Sequence, residues 1–185
     1  MRYFITLLAL MMLGISCKSP EARRPVTQQS GSYLDEAVAR NKQVVAEEEA
    51  LIQEVIERDT AHQYHSSPNG FWYYYHTQDS AASQTPQFGD LVEFEYNITT
   101  LEGTPIYTKD ELSPKTYRID QEELFGGLRE GLKLMKEGET ITFFFPSHKA
   151  YGFYGDKNRI GRNVPISATV TLKDINQQDN NQNQN

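Results

Sequence analysis

The chain of 185 residues has room for one domain of ordinary size with appendages. Its 18 basic and 25 acidic residues give a net charge of -7, which argues against a nucleic-acid partner. Its single cysteine, Cys17, excludes an internal disulfide.

Arg2 precedes an uncharged, largely apolar run over residues 3–15, followed by Ser16 and Cys17. A charged start, an apolar middle and a small-residue end make a secretory signal, expected to be cleaved rather than to span a membrane. Leu13-Gly14-Ile15-Ser16-Cys17 resembles a bacterial lipobox, with Gly14 where a leucine is usual. Residues 1–16 are therefore expected to be a lipoprotein signal peptide and Cys17 the lipidation site. The polar stretch that follows, carrying Pro20, Pro25 and Gly31, reads as a flexible tether over 17–33. The expected location is the bacterial cell envelope, lipid-anchored at the outer membrane and facing the periplasm.

Leu34, Val38, Val45, Leu51, Ile52, Val55 and Ile56 recur at three-and-four spacing, which predicts an amphipathic helix over 34–66. Asn41 and Glu48 interrupt its apolar stripe, so packing on its own domain is expected in preference to a dimeric coiled coil. Glu47-Glu48-Glu49 reads as a solvated helix face, and His62 and His65 as solvated histidines on the same helix. No metal site is expected.

From residue 70 to 176 the pattern changes to short alternating strands. Val92, Phe94, Tyr96 and Ile98 share one face of a strand whose other face is largely polar. Further strands are expected at 71–75, 116–119, 140–145 and 168–175. One helix is expected at 128–137, with Leu128, Leu132 and Met135 on one side and Gly138 as its stop. The fold class is α+β, a sheet curled around one short helix with the long helix before it. Asp156-Lys157-Asn158-Arg159-Ile160-Gly161 begins like a calcium loop, but Ile160 stands where an oxygen ligand is needed, and that reading is rejected. The tail over 177–185 is almost wholly Asn and Gln and is expected to be disordered.

The run from Gly89-Asp90 to Tyr96, then Glu102-Gly103, Gly127-Leu128-Arg129-Glu130-Gly131-Leu132, Ala150-Tyr151-Gly152, Val164-Pro165 and Ala168-Thr169-Val170 resembles the FKBP family of prolyl isomerases in order and spacing. The resemblance implies an antiparallel sheet of five or six strands around one short helix and a peptidyl-prolyl cis-trans isomerase that needs no cofactor. It implies catalytic roles for Tyr151, as hydroxyl donor to the substrate carbonyl, and for Tyr96 and Tyr107. It implies a substrate pocket of Ile106, Leu124, Phe125, Leu128, Val164 and Leu172. Leu128 stands where the family usually has tryptophan, Ile106-Tyr107 where it has Phe-Asp, and Lys115 where it has an aromatic. The signal and preceding helix are similar to those of the FKBP-type lipoproteins associated with gliding motility.

The expected partners are proline-containing protein segments and, through Cys17, a membrane. The expected function is isomerisation of X-Pro bonds in exported or envelope proteins. The alternative is a catalytically weak module of the same fold that holds such segments as a chaperone.

Overall fold

The computed structural model describes residues 30–78 and 84–177. The signal, Cys17 and most of the tether and tail lie outside them. The chain divides into two units, residues 1–37 and 38–185; all contacts below belong to the second.

Helix α1 spans Ser30–Arg58. It stops short of residue 66 because Asp59 builds a turn. The Asp59 N–H still donates to the Val55 and Ile56 carbonyls, while its carboxylate accepts from the Ala61 amide at 2.8 Å, His62 Nδ1 at 2.7 Å and the Tyr64 hydroxyl at 2.9 Å. Side-chain bonds of this kind offer the backbone an alternative to continuing a helix. The His62 hydrogen bond, then the Ala61 amide, hold the Asp59 carboxyl down at about 2. The placement of His62 and His65 on the helix is thereby corrected: His62 stands in the turn and His65 opens a strand.

That strand, β1 (His65–Ser67), pairs with β2 (Phe71–Thr77) in a hairpin whose turn uses Gly70 at φ 77°. Then follow β3 (Leu91–Tyr96), β4 (Ile98–Thr99), β5 (Pro105–Tyr107), the single turn α2 (Lys109–Leu112), β6 (Lys115–Arg118), α3 (Gly126–Leu132), β7 (Thr140–Phe145) and β8 (Ile166–Asn176). The sheet is antiparallel, in the order β1-β2-β7-β8-β3-β6, with β4 pairing β5 and β8. Six strands form the path and two short ones are added. The expected five main strands are all present, whereas β1, β5 and α2 are too short to show a period.

The concave face holds the principal core. Val92, Phe94, Ile141, Phe143, Phe145, Ala168, Val170 and Leu172 meet Leu128, Leu132 and Met135 from the α3 side, all of them fully buried. Helix α3 ends at Leu132, earlier than expected, and turns carry the chain on to Gly138 at φ 84°. The opposite face is covered as well, which the alternating pattern of β3 did not predict. There α1 lays Ile52, Val55 and Ile56 on Phe144, Leu101, Trp72, Tyr74 and Tyr64. Strand β7 is accordingly buried from Ile141 to Phe145, the behaviour of a strand enclosed on both sides.

Candidate active site

The site is built from the ends of elements. Strand β3 ends at Tyr96, whose backbone is pinned by Ser113: the Tyr96 N–H donates to Ser113 Oγ at 2.9 Å and Ser113 Oγ donates to the Tyr96 carbonyl at 3.3 Å. The segment before α3 supplies Leu124 and Phe125. The Phe125 ring stands 5.5 Å from Phe145 and 5.2 Å from Tyr151, centroid to centroid, within the range of favourable aromatic pairs. Past β7, a 3-10 turn at Ser147–Lys149 delivers Ala150 and Tyr151. Tyr96, Lys115, Glu123, Leu124, Phe125, Ala150 and Tyr151 together line a cavity of about 430 Å³.

Burial pushes the Tyr151 phenol well above its ordinary pKa, and the neighbouring Tyr96, Asp156 and Tyr107 push in the same direction. Burial raises Tyr96 too. At neutral pH both are uncharged hydroxyls. The arrangement is an aromatic-walled cleft of mixed polarity, with a neutral hydroxyl donor, Tyr151, and two side chains of opposite charge, Lys115 and Glu123, in its lining.

A loop closes beside it. Gly155, at φ 63°, turns the chain so closely that a Cβ there would lie 2.2 Å from the Ile160 carbonyl. The Asp156 carboxylate accepts from the Asn158 and Ile160 amides at 2.9 and 2.8 Å and from the Tyr107 hydroxyl. Burial opposes its charge, but these donors outweigh it and hold the carboxyl below its ordinary range. Arg159 lies 4.7 Å over the Tyr107 ring, donates to the Ile106 carbonyl at 2.8 Å and pairs with Glu111 at 2.7 Å. The Asp156 carboxylate thus organises a turn, and Ile160, 3% exposed, is tucked into the core.

Of the residues named from sequence, Tyr96, Leu124, Phe125 and Tyr151 meet at the cavity. Leu128 and Leu172 do not line it; both are fully buried in the core beneath. Ile106, Tyr107 and Val164 pack, half-buried, against the same core. Cys17 lies outside the described residues. Glu123 and Ala150 were not named as site residues; Ala150 stands in the Ala150-Tyr151-Gly152 run that carries the resemblance, whereas nothing in the local pattern marks Glu123. Glu48 is a correction of another kind: it is buried, 4% exposed, and accepts from both the Ser147 N–H and Ser147 Oγ at 2.7 Å. Among the described residues no group of three His, Cys, Asp or Glu is placed to hold a metal.

Residues 82–173 match the family model described as FKBP-type peptidyl-prolyl cis-trans isomerase. The probable FKBP-type peptidyl-prolyl cis-trans isomerase FkpA of Neisseria meningitidis serogroup B is 34% identical over 91 residues, 49% of this chain and 33% of that protein. Human peptidyl-prolyl cis-trans isomerase FKBP10 is 32% identical over 92 residues, 49% of this chain and 15% of that protein. The FkpA of Aeromonas hydrophila is 32% identical over 99 residues, 53% of this chain and 34% of that protein. The chain thus spans about a third or less of the length of these curated relatives. Among solved structures, a peptidyl-prolyl cis-trans isomerase from Pseudomonas syringae pv. tomato superposes with a TM-score of 0.59 at 18% identity, over 74% of this chain and 96% of that one. FkpA from Escherichia coli does so with a TM-score of 0.57 at 23% identity, over 93% of this chain and 81% of that one. These last two likenesses establish the fold. The chain therefore carries, at residues 82–173, a domain that belongs to the FKBP-type peptidyl-prolyl cis-trans isomerase family.

Proposed function

We propose that the protein is a peptidyl-prolyl cis-trans isomerase acting on X-Pro bonds of exported or envelope proteins and assisting their folding. The observation that carries this is the aromatic cleft lined by the half-buried, neutral Tyr151, set in a domain of this family. Rotation about an X-Pro bond is opposed by amide resonance, with a barrier of about 18 to 20 kcal/mol. No nucleophile or metal is required. A twisted amide has lost much of its charge separation, so walls such as Leu124, Phe125 and Tyr96 favour it relative to water, and the Tyr151 hydroxyl can donate to the substrate carbonyl and fix its orientation.

The signal-like sequence ending at Cys17 supports a lipid-anchored protein of the cell envelope, at the outer membrane and facing the periplasm. Several acyl chains, at about 0.8 kcal/mol per buried CH2, would make such an anchor effectively permanent. Loss of the protein from the membrane fraction in Cys17→Ala is the expected outcome; retention would overturn the anchor. Proline-containing segments are the proposed clients, and a service to gliding motility is the narrowest form of the reading, resting on resemblance alone.

Lys115 and Glu123 in the cavity lining favour a second reading, a binding module that holds proline segments with little turnover, because charged groups there make the cleft less favourable to a twisted amide that has lost its charge separation. Isomerisation of a short Ala-Xaa-Pro-Phe peptide by the purified protein, beside Tyr151→Phe, separates the two. Acceleration that falls in the variant supports the enzyme. A folded protein without acceleration that still binds the peptide supports the module.

A further inference from the structure

Helix α1 lies entirely before residues 82–173, yet one of its side chains reaches the segment that carries Tyr151. Glu48 and Ser147 stand 99 residues apart in sequence and are each 4% exposed. The Glu48 carboxylate accepts from Ser147 N and from Ser147 Oγ, both at 2.7 Å. Those donors open the 3-10 turn, which continues with Lys149 N–H to the Pro146 carbonyl and Ala150 N–H to the Ser147 carbonyl, each at 2.9 Å. Ala150 and Tyr151, the next two residues, line the cavity. On its other side the turn rests against α3, where a Cβ on Gly127 would lie 2.8 Å from the Lys149 carbonyl. The turn is held between two helices, one of them outside the matched residues.

A buried carboxylate is a costly way to dock a helix, and α1 does not need it for that purpose. Ile52, one turn further on and fully buried, already docks α1 with Val55 and Ile56. What a carboxylate adds is direction: two short charge-assisted bonds to one residue fix its position in a way that apolar contact does not. We propose that α1 is a working part of the site, and that Glu48 is a positioning residue which fixes the 147–151 segment and so places the Tyr151 hydroxyl against the cavity. The catalytic consequence of this rests on the isomerase reading, whereas the positional one does not.

The full chain and its Glu48→Ala, Glu48→Gln, Ser147→Ala and Ile52→Ala variants are compared by hydrogen exchange and by isomerisation of the proline peptide. In Glu48→Ala, exchange over 147–152 rises about tenfold or more while β3 and β8 stay protected, and kcat/KM falls about tenfold or more from the misplaced hydroxyl. Glu48→Gln, which keeps an acceptor for the Ser147 N–H, recovers most of both. Ile52→Ala lowers Tm without the local change in exchange. If Glu48→Ala does not fold, Ser147→Ala, which removes one of the two bonds, supplies the same comparison in milder form. Unchanged protection at 147–152, or a uniform rise across the domain like that of Ile52→Ala, overturns the proposal. A wild-type protein without isomerase activity defeats the proposed function, and the exchange measurement then still decides whether Glu48 positions the segment.

Discussion

Helix α3 carries three glycines whose replacement by alanine should have three different consequences, each readable from the space around a single carbon. At Gly127 an added Cβ would lie 2.5 and 2.7 Å from two carbons of the Phe145 ring and 2.8 Å from the Lys149 carbonyl. Ordinary contact begins near about 3.5 Å, so the ring would have to retreat by about 1 Å. It has nowhere to go, because Phe145 is fully buried with Phe71, Phe125 and Phe143 all within 5.6 Å between centroids. The Lys149 carbonyl is backbone in the turn that Glu48 caps. Overpacking of this kind costs about 1–3 kcal/mol, which lowers Tm by about 3–9 °C for a protein of this size. At Gly131 the nearest Phe143 atoms stand at 3.1 Å, and the gain in helix propensity, up to about 1 kcal/mol, nearly offsets the crowding. At Gly126 the nearest atoms are at 3.9 and 4.0 Å, so alanine should leave stability unchanged or raise it by about 0.5–1 kcal/mol. Thermal and urea unfolding of the three variants in parallel tests the series. A Gly127→Ala protein as stable as Gly126→Ala would refute the packing described here.

Three further outcomes are expected. Ile52→Ala, which empties a fully buried position between α1 and the sheet, should cost about 2–5 kcal/mol in urea unfolding. Asp59 and Glu111 are both held at about 2, by His62 and by Arg159 in the first place. Because their folded pKa values are depressed, the stability they contribute is fully present above their ordinary values of 3.8 and 4.5 and is lost as pH falls towards about 2. Tm measured from pH 5 to pH 2 should therefore decline less steeply in Asp59→Asn than in the wild type. Asp156→Ala leaves the Asn158 and Ile160 amides and the Tyr107 hydroxyl without their acceptor. It should cost about 1–3 kcal/mol and speed amide exchange in the 155–164 loop, with β7 unaffected.

The strands of the concave face were legible because their physics is local. Val92, Phe94 and Tyr96 alternate with Glu93 and Glu95, and the buried side follows from that alone. Leu128, Leu132 and Met135 likewise declared the inner face of the segment around α3. The second covered face was written in β7, where Ile141 to Phe145 run without a charged residue, but such a run reads equally as a strand or as part of a buried helix. Glu48 was legible only in part, since its interruption of the apolar stripe between Val45 and Ile52 put it on the inward face without naming a partner. The run Glu47-Glu48-Glu49 reads instead as a solvated face, and the donors that justify the burial of Glu48 come from Ser147, on the far side of the whole domain in sequence. Asp156 was ambiguous by itself, since a carboxylate that organises amides and one that binds calcium draw on the same loop chemistry, and it was Ile160, standing where an oxygen ligand is needed, that told against calcium.

The layer of rings between α1 and the sheet has a practical side. The chain has one tryptophan, Trp72, and it sits in that layer, half-buried beside Phe144, Tyr74 and Ile52 rather than in the concave core. Its emission is therefore a built-in gauge of whether the long helix is seated, while the tyrosine-rich concave side stays dark when excitation is confined to the red edge of the indole band, where tyrosine does not absorb. An unfolding experiment that follows Trp72 and backbone ellipticity together would display undocking of α1 as a separate optical event if it precedes melting of the domain, and as one shared transition if helix and domain are a single cooperative body.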